Sequence, residues 1–260
     1  MEVVILPSAS AIGEIVADAI VGVLCRRETP VLGLATGSSP LPVYDTLVSR
    51  YRRGAVSFSL TRAFLLDEYV GLPPEHPQSY ATYIARVFTS RVDFGPEAVM
   101  GPDGAAVDLA GAGPAYEAAI AAAGGIDLQL LGIGADGHIG FNEPGSSLAS
   151  RTRLKTLTAQ TRADNARFFS SPEEVPRHVL TQGVGTILEA RHLVLIASGA
   201  GKAAAVAAAV EGPITAMVPA SVLQLHPHVS VVLDEPAASS LRLADYYRET
   251  YANKPSWQGL

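Results

Sequence analysis

The stretch "DLQLLGIGADGHIGFNEPGSS", residues 127–147, runs from an apolar segment straight into a glycine-rich loop that carries Asp136, His138 and Glu143. Its first seven residues, 127–133, form a short, continuous apolar run bounded by glycine, which reads as a strand buried on both faces. Strands of that kind belong to parallel sheets covered by helices. In open α/β sheets the ligand lies beyond the carboxyl ends of the strands. Three proton-handling side chains stand at that place here.

The rest of the chain repeats the pattern. Apolar runs at 3–6, 31–35, 63–66, 192–197 and 229–233 read as further strands. Between them lie segments of helical spacing or composition: AIGEIVADAIVGVLCRR, LPVYDTLVSRYRR, YATYIARVF, AYEAAIAAA and KAAAVAAAV. This alternation predicts an α/β fold, an open and mainly parallel, Rossmann-like sheet with helices on both faces. No internal repeat or linker-like break divides the chain, so residues 1–260 read as a single domain. The Gly- and Ala-rich stretch 101–114 reads as a surface connection.

Composition narrows the class. The chain is 48% hydrophobic with a formal net charge of −6 and one cysteine. No basic run is present, so nucleic acid and anionic membrane are excluded as expected partners. No apolar stretch reaches a membrane span's length, and MEVVILPSAS has no positive region ahead of its apolar residues. A cytoplasmic location is the expectation, and the single cysteine excludes an intrachain disulfide framework.

Three more segments carry chemistry just past predicted strands. LATGSSPLPVY, 34–44, is a strand, a tight turn and a helix start, and Thr36, Gly37, Ser38 and Ser39 form a candidate phosphate cradle at a helix N-terminus. The alternative is an ordinary hydroxyl-capped turn. SGAGKAAAV, 198–206, places Lys202 in the first turn of a helix, where a cation is unfavourable unless an anion is bound. LLDEYVG, 65–71, places Asp67 and Glu68 at a strand end. Successive strand residues point opposite ways, so one faces the cleft and the other anchors the loop, and periodicity leaves open which does which. Asp136, His138 and Glu143 are weak as zinc ligands and lack a nucleophile elbow. General acid–base work remains, with carboxylates orienting a histidine that titrates near neutrality.

With these residues in place, the chain resembles the glucosamine-6-phosphate deaminase (isomerase) family. The supporting stretches are LGLATGSSP, LLDEYVGL, LLGIGADGHIGFNEPGSSLASRTR, TRADNARFF, SGAGKAAAVAAAVEG and PASVLQLHPHVSVVLDEPAAS, in matching order over nearly the whole chain. The resemblance implies conversion of glucosamine 6-phosphate and water to fructose 6-phosphate and ammonia, with no cofactor and no metal. It implies that His138 opens the sugar ring, oriented by Asp136 and Glu143, and that Asp67 moves the C2 proton to C1. Phosphate would be held by the Thr36–Ser39 turn, Arg167 and Lys202. A lid is implied at about residues 153–182. Hexameric members are activated by N-acetylglucosamine 6-phosphate, and Ser147, Arg153 and Lys155 match that activator site, although YYRETYANKPSWQGL diverges from those members. The plainer reading of Arg153 and Lys155 is surface charge near the lid. A homo-oligomer is compatible with the resemblance. The phosphate turn has Ser38 where family members commonly carry a second glycine, which raises the expectation of a strained backbone there.

Two other readings compete. The 6-phosphogluconolactonases share this fold and a related GxGxDGHxxS segment, but Glu143 and the DEYVG segment point away from them. A non-enzymatic sugar-phosphate sensor would be expected to carry a basic helix-turn-helix ahead of the first strand, and MEVVILPSAS supplies none. His226 and His228 look like a metal pair, yet the proline between them favours a structural loop. Cys25 reads as a core residue on an apolar helix face.

Overall fold

The chain's short apolar runs become strands and its amphipathic segments the helices that cover them. The structure, a computed structural model, describes residues 1–73, 75–255 and 257–260. The strands are β1 (Glu2–Leu6), β2 (Val31–Leu34), β3 (Arg62–Leu65), β4 (Asp67–Tyr69), β5 (Val99–Met100), β6 (Leu128–Leu131), β7 (Arg153–Thr156), β8 (His178–Thr181), β9 (Leu193–Ala197) and β10 (Val229–Asp234). The helices are α1 (Ala9–Arg26), α2 (Leu41–Arg52), α3 (Tyr80–Val87), α4 (Leu109–Ala122), α5 (Ala159–Asn165), α6 (Val184–Ile187), α7 (Ala203–Val210), α8 (Glu235–Ala238) and α9 (Ala244–Ala252).

Among the described residues the strands form a seven-stranded sheet in the order β1-β10-β9-β6-β2-β3-β5, and every pairing in it is parallel. Strands β2, β6 and β9 are buried along their whole length, as continuous apolar runs require. Val4, Leu32, Phe64, Leu128, Leu195 and Val231 belong to one core. From β2 the chain moves outward to β3, whereas from β6 it goes the other way, to β9. The order therefore switches between β2 and β6, and a crevice opens beyond their carboxyl ends. The turn after β2 and the loop after β6 face each other across it.

A second sheet, antiparallel, was not legible in the sequence. Its order is β4-β8-β7. The chain leaves β3 at Leu65 and enters β4 at Asp67, so one extended segment serves both sheets. Gln182 seals the seam: its N–H donates to Leu66 O at 2.8 Å and its Nε2 to Leu65 O at 3.1 Å. The segment expected to be a lid leaves as β7, carries α5, and returns as β8.

Two smaller expectations are corrected. Helix α4 begins at Leu109, inside the stretch read as a surface connection. Asp108 caps it by accepting the Gly111 N–H at 3.1 Å, and Pro114 removes only one helical donor. Cys25 is exposed, because it falls on the outer face of α1 rather than beside Val16, Ile20 and Val23. His226 takes the structural role: its ring nitrogens meet Ala190 O at 2.8 Å and His228 O at 3.0 Å. No helix among the described residues is long and apolar enough to cross a membrane.

Candidate active site

The phosphate turn is built by a reversal after β2. Gly37 supplies it with φ +85°, while Ser38 has no left-handed backbone, so the strain expected there does not arise. From below, the Tyr44 hydroxyl donates to Ala35 O at 2.8 Å and accepts the Ala35 N–H at 3.2 Å. From the side, the Tyr83 hydroxyl donates to Gly37 O at 2.9 Å. Pro40 occupies the N-cap of α2 and no side chain caps that helix. The Ser38 and Ser39 hydroxyls thus do not serve as the expected cap, and the positive end of a twelve-residue helix points at the turn.

Lys202 lies across the crevice, just before α7. Gly199, φ +88°, turns the chain there, and its N–H donates to both Asp234 carboxylate oxygens at 3.0 Å. Burial lowers the Lys202 ammonium from its ordinary value, the Asp136 carboxylate opposes this, and the Arg167 guanidinium adds to it. That coupling places Arg167, from the lid segment, within electrostatic reach of Lys202. Arg167 is otherwise exposed, stacked 4.8 Å over Phe168. Arg167 and Lys202 therefore approach each other, with Asp136 beside Lys202, an arrangement that favours a bound anion.

The loop after β6 holds the histidine. Asp136 Oδ1 lies 2.6 Å from His138 Nδ1 and also accepts the His138 N–H at 3.2 Å. The ring packs directly over Gly134: an ideal Cβ there would lie 2.6 Å from His138 Cγ and nearer still to Nδ1 and Cε1. Gly134 is therefore glycine because the ring needs its space. Gly140, φ +55°, turns the loop toward the small sheet. A Cβ on Gly140 would be 3.7 Å from Asp67 Oδ2, so the histidine loop and the DEYVG strand end meet there.

Asp67 and Glu68 divide the work that periodicity left open. Glu68 is the anchor: its carboxylate accepts the N–H groups of Tyr69, Tyr80 and Ala81. Asp67, 5% exposed, faces the other way, and no described donor bonds its carboxyl. Burial, with the Glu68 charge adding to it, pushes the Asp67 carboxyl up to about 8. A carboxyl poised there can exchange a proton near neutrality.

Among the described residues the hydrogen bonds of Glu143 run to the 153–182 segment, not to His138. Its Oε1 accepts from the Thr158 hydroxyl at 3.1 Å and from the Thr161 hydroxyl. Thr158 is also the N-cap of α5, so the lid helix begins on this carboxylate. The turn at Gly140 and Asn142 explains the change of direction. Asn142 is buried, and its Nδ2 donates to Ile139 O at 3.0 Å and Gln182 O at 2.8 Å, holding the loop against the small sheet. An aromatic layer packs against the 153–182 segment: Tyr80 stacks on Phe141 at 6.1 Å, and Tyr69 meets Phe169 edge-on at 5.7 Å. Sequence reading missed Thr158, Thr161, Tyr83 and this aromatic layer. Their spacing carries no signal, since each meets its partner only through the tertiary fold.

Of the residues matched to an activator site, Arg153 and Lys155 lie on one face of the edge strand and Ser147 lies outside it. Arg153 and Lys155 alternate inward on β7, and Arg153 stands in the register row Asp67–Thr181–Arg153. Ser147 is exposed and its hydroxyl accepts the Ala149 N–H at 3.3 Å. No three His, Cys, Asp or Glu side chains form a metal-holding group among the described residues.

The model of the "Glucosamine-6-phosphate isomerases/6-phosphogluconolactonase" family matches residues 7–232. The chain belongs to this family. It is 65% identical over 260 residues to a glucosamine-6-phosphate deaminase of Arthrobacter sp. (strain FB24), covering all of both chains. It is 64% identical over 261 residues to one from Mycolicibacterium smegmatis, again over the full length of each. A solved monomeric glucosamine-6-phosphate deaminase superposes with TM-score 0.90 at 40% identity, over 92% of this chain and 100% of that one. A 6-phosphogluconolactonase from Trypanosoma cruzi reaches TM-score 0.72 at 21% identity, over 93% of this chain and 97% of that one, which shows a shared fold alone.

Proposed function

We propose that this chain is a glucosamine-6-phosphate deaminase, converting glucosamine 6-phosphate and water to fructose 6-phosphate and ammonia. The observation that carries the reading is the donor-free, buried Asp67 carboxyl, set against the His138 loop at Gly140. A lactone hydrolase needs a water-activating base but no carboxylate to shuttle a proton between carbons. The full-length identity to named deaminases, with only fold-level likeness to the lactonase, supports the same choice.

In this reading the phosphate sits among the Thr36–Ser39 turn, Lys202 and Arg167. Binding energy spent at that remote group positions the reacting carbons. His138, held by Asp136, passes the anomeric hydroxyl proton to the ring oxygen and opens the ring. Asp67 as carboxylate removes the proton on C2 while the C1 carbonyl oxygen takes a proton from the substrate's own 2-ammonium group, giving a neutral aminoenol. The acid so formed returns that proton to C1, leaving an iminium ion at C2. Water adds to C2, and loss of ammonia leaves the ketone. The lid, 153–182, closes over the aminoenol and excludes water until C1 is protonated. One solved relative is described as monomeric. Arg153, Lys155 and Ser147 remain candidates for a second anion site.

The test is stoichiometric ammonia and fructose 6-phosphate from glucosamine 6-phosphate, with Asp67→Asn as control. The variant should fall by roughly 10²–10⁴-fold in kcat. A folded wild-type protein that binds the sugar phosphate without releasing ammonia would refute the assignment.

A further inference from the structure

Two side chains that no chemical step uses fix helix α3 at two points. At its N-terminus, the buried Glu68 carboxylate accepts the N–H groups of Tyr69 at 2.8 Å, Tyr80 at 2.9 Å and Ala81 at 2.9 Å. Tyr80 and Ala81 open the helix, so their N–H groups have no partner inside it. One helical turn on, the Tyr83 hydroxyl donates to Gly37 O in the phosphate turn at 2.9 Å. The helix is thus joined to the strand end that carries Asp67 and to the turn proposed to carry phosphate.

We propose that Glu68 and Tyr83 are positioning residues that make α3 a strut, setting the Asp67 carboxyl at a fixed separation from the phosphate turn. This rests on the deaminase reading above. The sugar fixes the span from its phosphate to C2, and the protein has to hold a matching span between its own two groups. A misplacement of about 1 Å costs on the order of 100-fold in rate. Asp67 and Glu68 are consecutive on β4 and point to opposite faces, so seating one aims the other. Glu68 also acts through its charge. The titratable groups facing Asp67 are Glu68 on its own strand, Tyr69 beside it, Tyr80 from α3 and Tyr116 from α4. Burial pushes the three phenols up, so they stay neutral at working pH and Glu68 is the charged neighbour.

Three variants test the strut: Glu68→Gln, Glu68→Asp and Tyr83→Phe. Glu68→Gln should lower kcat and move the ascending limb of kcat/KM to lower pH by at least about half a unit, since a like charge has gone. Glu68→Asp, which keeps the charge, should hold the limb in place. Tyr83→Phe should leave the limb unmoved but weaken inorganic phosphate binding, read by calorimetry, several-fold. An unmoved limb in folded Glu68→Gln, or unchanged phosphate binding in Tyr83→Phe, overturns the proposal. If Glu68→Gln does not fold, the Tyr83→Phe titration decides alone. That titration needs no turnover, so it also separates failure of the strut from failure of the deaminase assignment.

Discussion

Replacing Gly134 by alanine places one methyl group where the His138 ring lies. An ideal Cβ would stand 2.6 Å from His138 Cγ, whereas non-bonded carbons settle at about 3.5–4.0 Å. Nδ1 and Cε1 lie nearer still, so the ring must retreat by more than about 1 Å, and the 2.6 Å contact from Nδ1 to Asp136 Oδ1 is lost with it. For an acid–base group that displacement costs on the order of 100-fold in kcat, about 2.7 kcal/mol of barrier. The fold should barely notice. Gly134 has no left-handed φ, the ring is partly exposed and can swing outward, and alanine restricts the unfolded chain. A Tm change within about 4 °C is expected. The assay is initial-rate formation of fructose 6-phosphate beside a thermal melt. Gly95→Ala, whose Cβ would meet only Ser59 O at 3.7 Å, is the matched control and should be near wild type. Folded Gly134→Ala with kcat within about threefold of wild type would refute the placement of His138 as the ring-opening group.

Thr161→Val removes a hydroxyl from Glu143 while keeping the shape, and should cost kcat about tenfold, the worth of one charge-assisted hydrogen bond, with little change in Tm. An unchanged kcat would show that the lid does not hold this carboxylate for catalysis. His192 supplies a pH prediction remote from the site. Burial pushes its ring down to about 3 from an ordinary 6.5, with His228 and His226 adding to the shift. The unfolded chain therefore binds the proton more readily. Its stabilising contribution is whole above pH 6.5 and is lost as pH falls toward 3, by up to about 1.4 kcal/mol per unit. His192→Gln should flatten the acid side of a urea-denaturation series, and parallel curves for the two proteins would contradict the argument.

The large sheet was legible because burial on both faces leaves a mark. Each of its six longer strands is dominated by apolar residues, broken only by single polar positions such as Gln129 and Ser230, and a register of parallel strands needs nothing more specific from sequence. The small sheet left no such mark. Its β4 is three residues long and carries both Asp67 and Glu68, while β7 alternates half-buried and exposed residues through Arg153 and Lys155. Such charge reads as a loop or a solvated surface until β8 is brought between them. The same blindness hid the partners of Glu143. Glycines placed the loop at a strand end, but which way its carboxylate turns depends on Gly140, Asn142 and Gln182 meeting across 40 residues of chain. Asp136 and His138 escaped this problem because they are two apart and bond each other.

Environment, more than residue type, separates the carboxylates of this site. Asp67 is buried with no donor among the described residues and beside a like charge, so its acid form persists toward neutrality and it can both take and return a proton. Glu68, one residue away, meets three backbone N–H groups that favour its charged form, although burial still raises it. Asp136 stands half in solvent against a histidine nitrogen, where it orients the ring. Glu143 is held by two hydroxyls of a helix that also leads to Arg167. A dianion drawing Arg167 inward would pull on that helix, and its first residues are tied to the Glu143 carboxylate. Phosphate recognition and the setting of the acid–base groups then become one event, which is why a substrate lacking its phosphate should lose kcat as well as affinity.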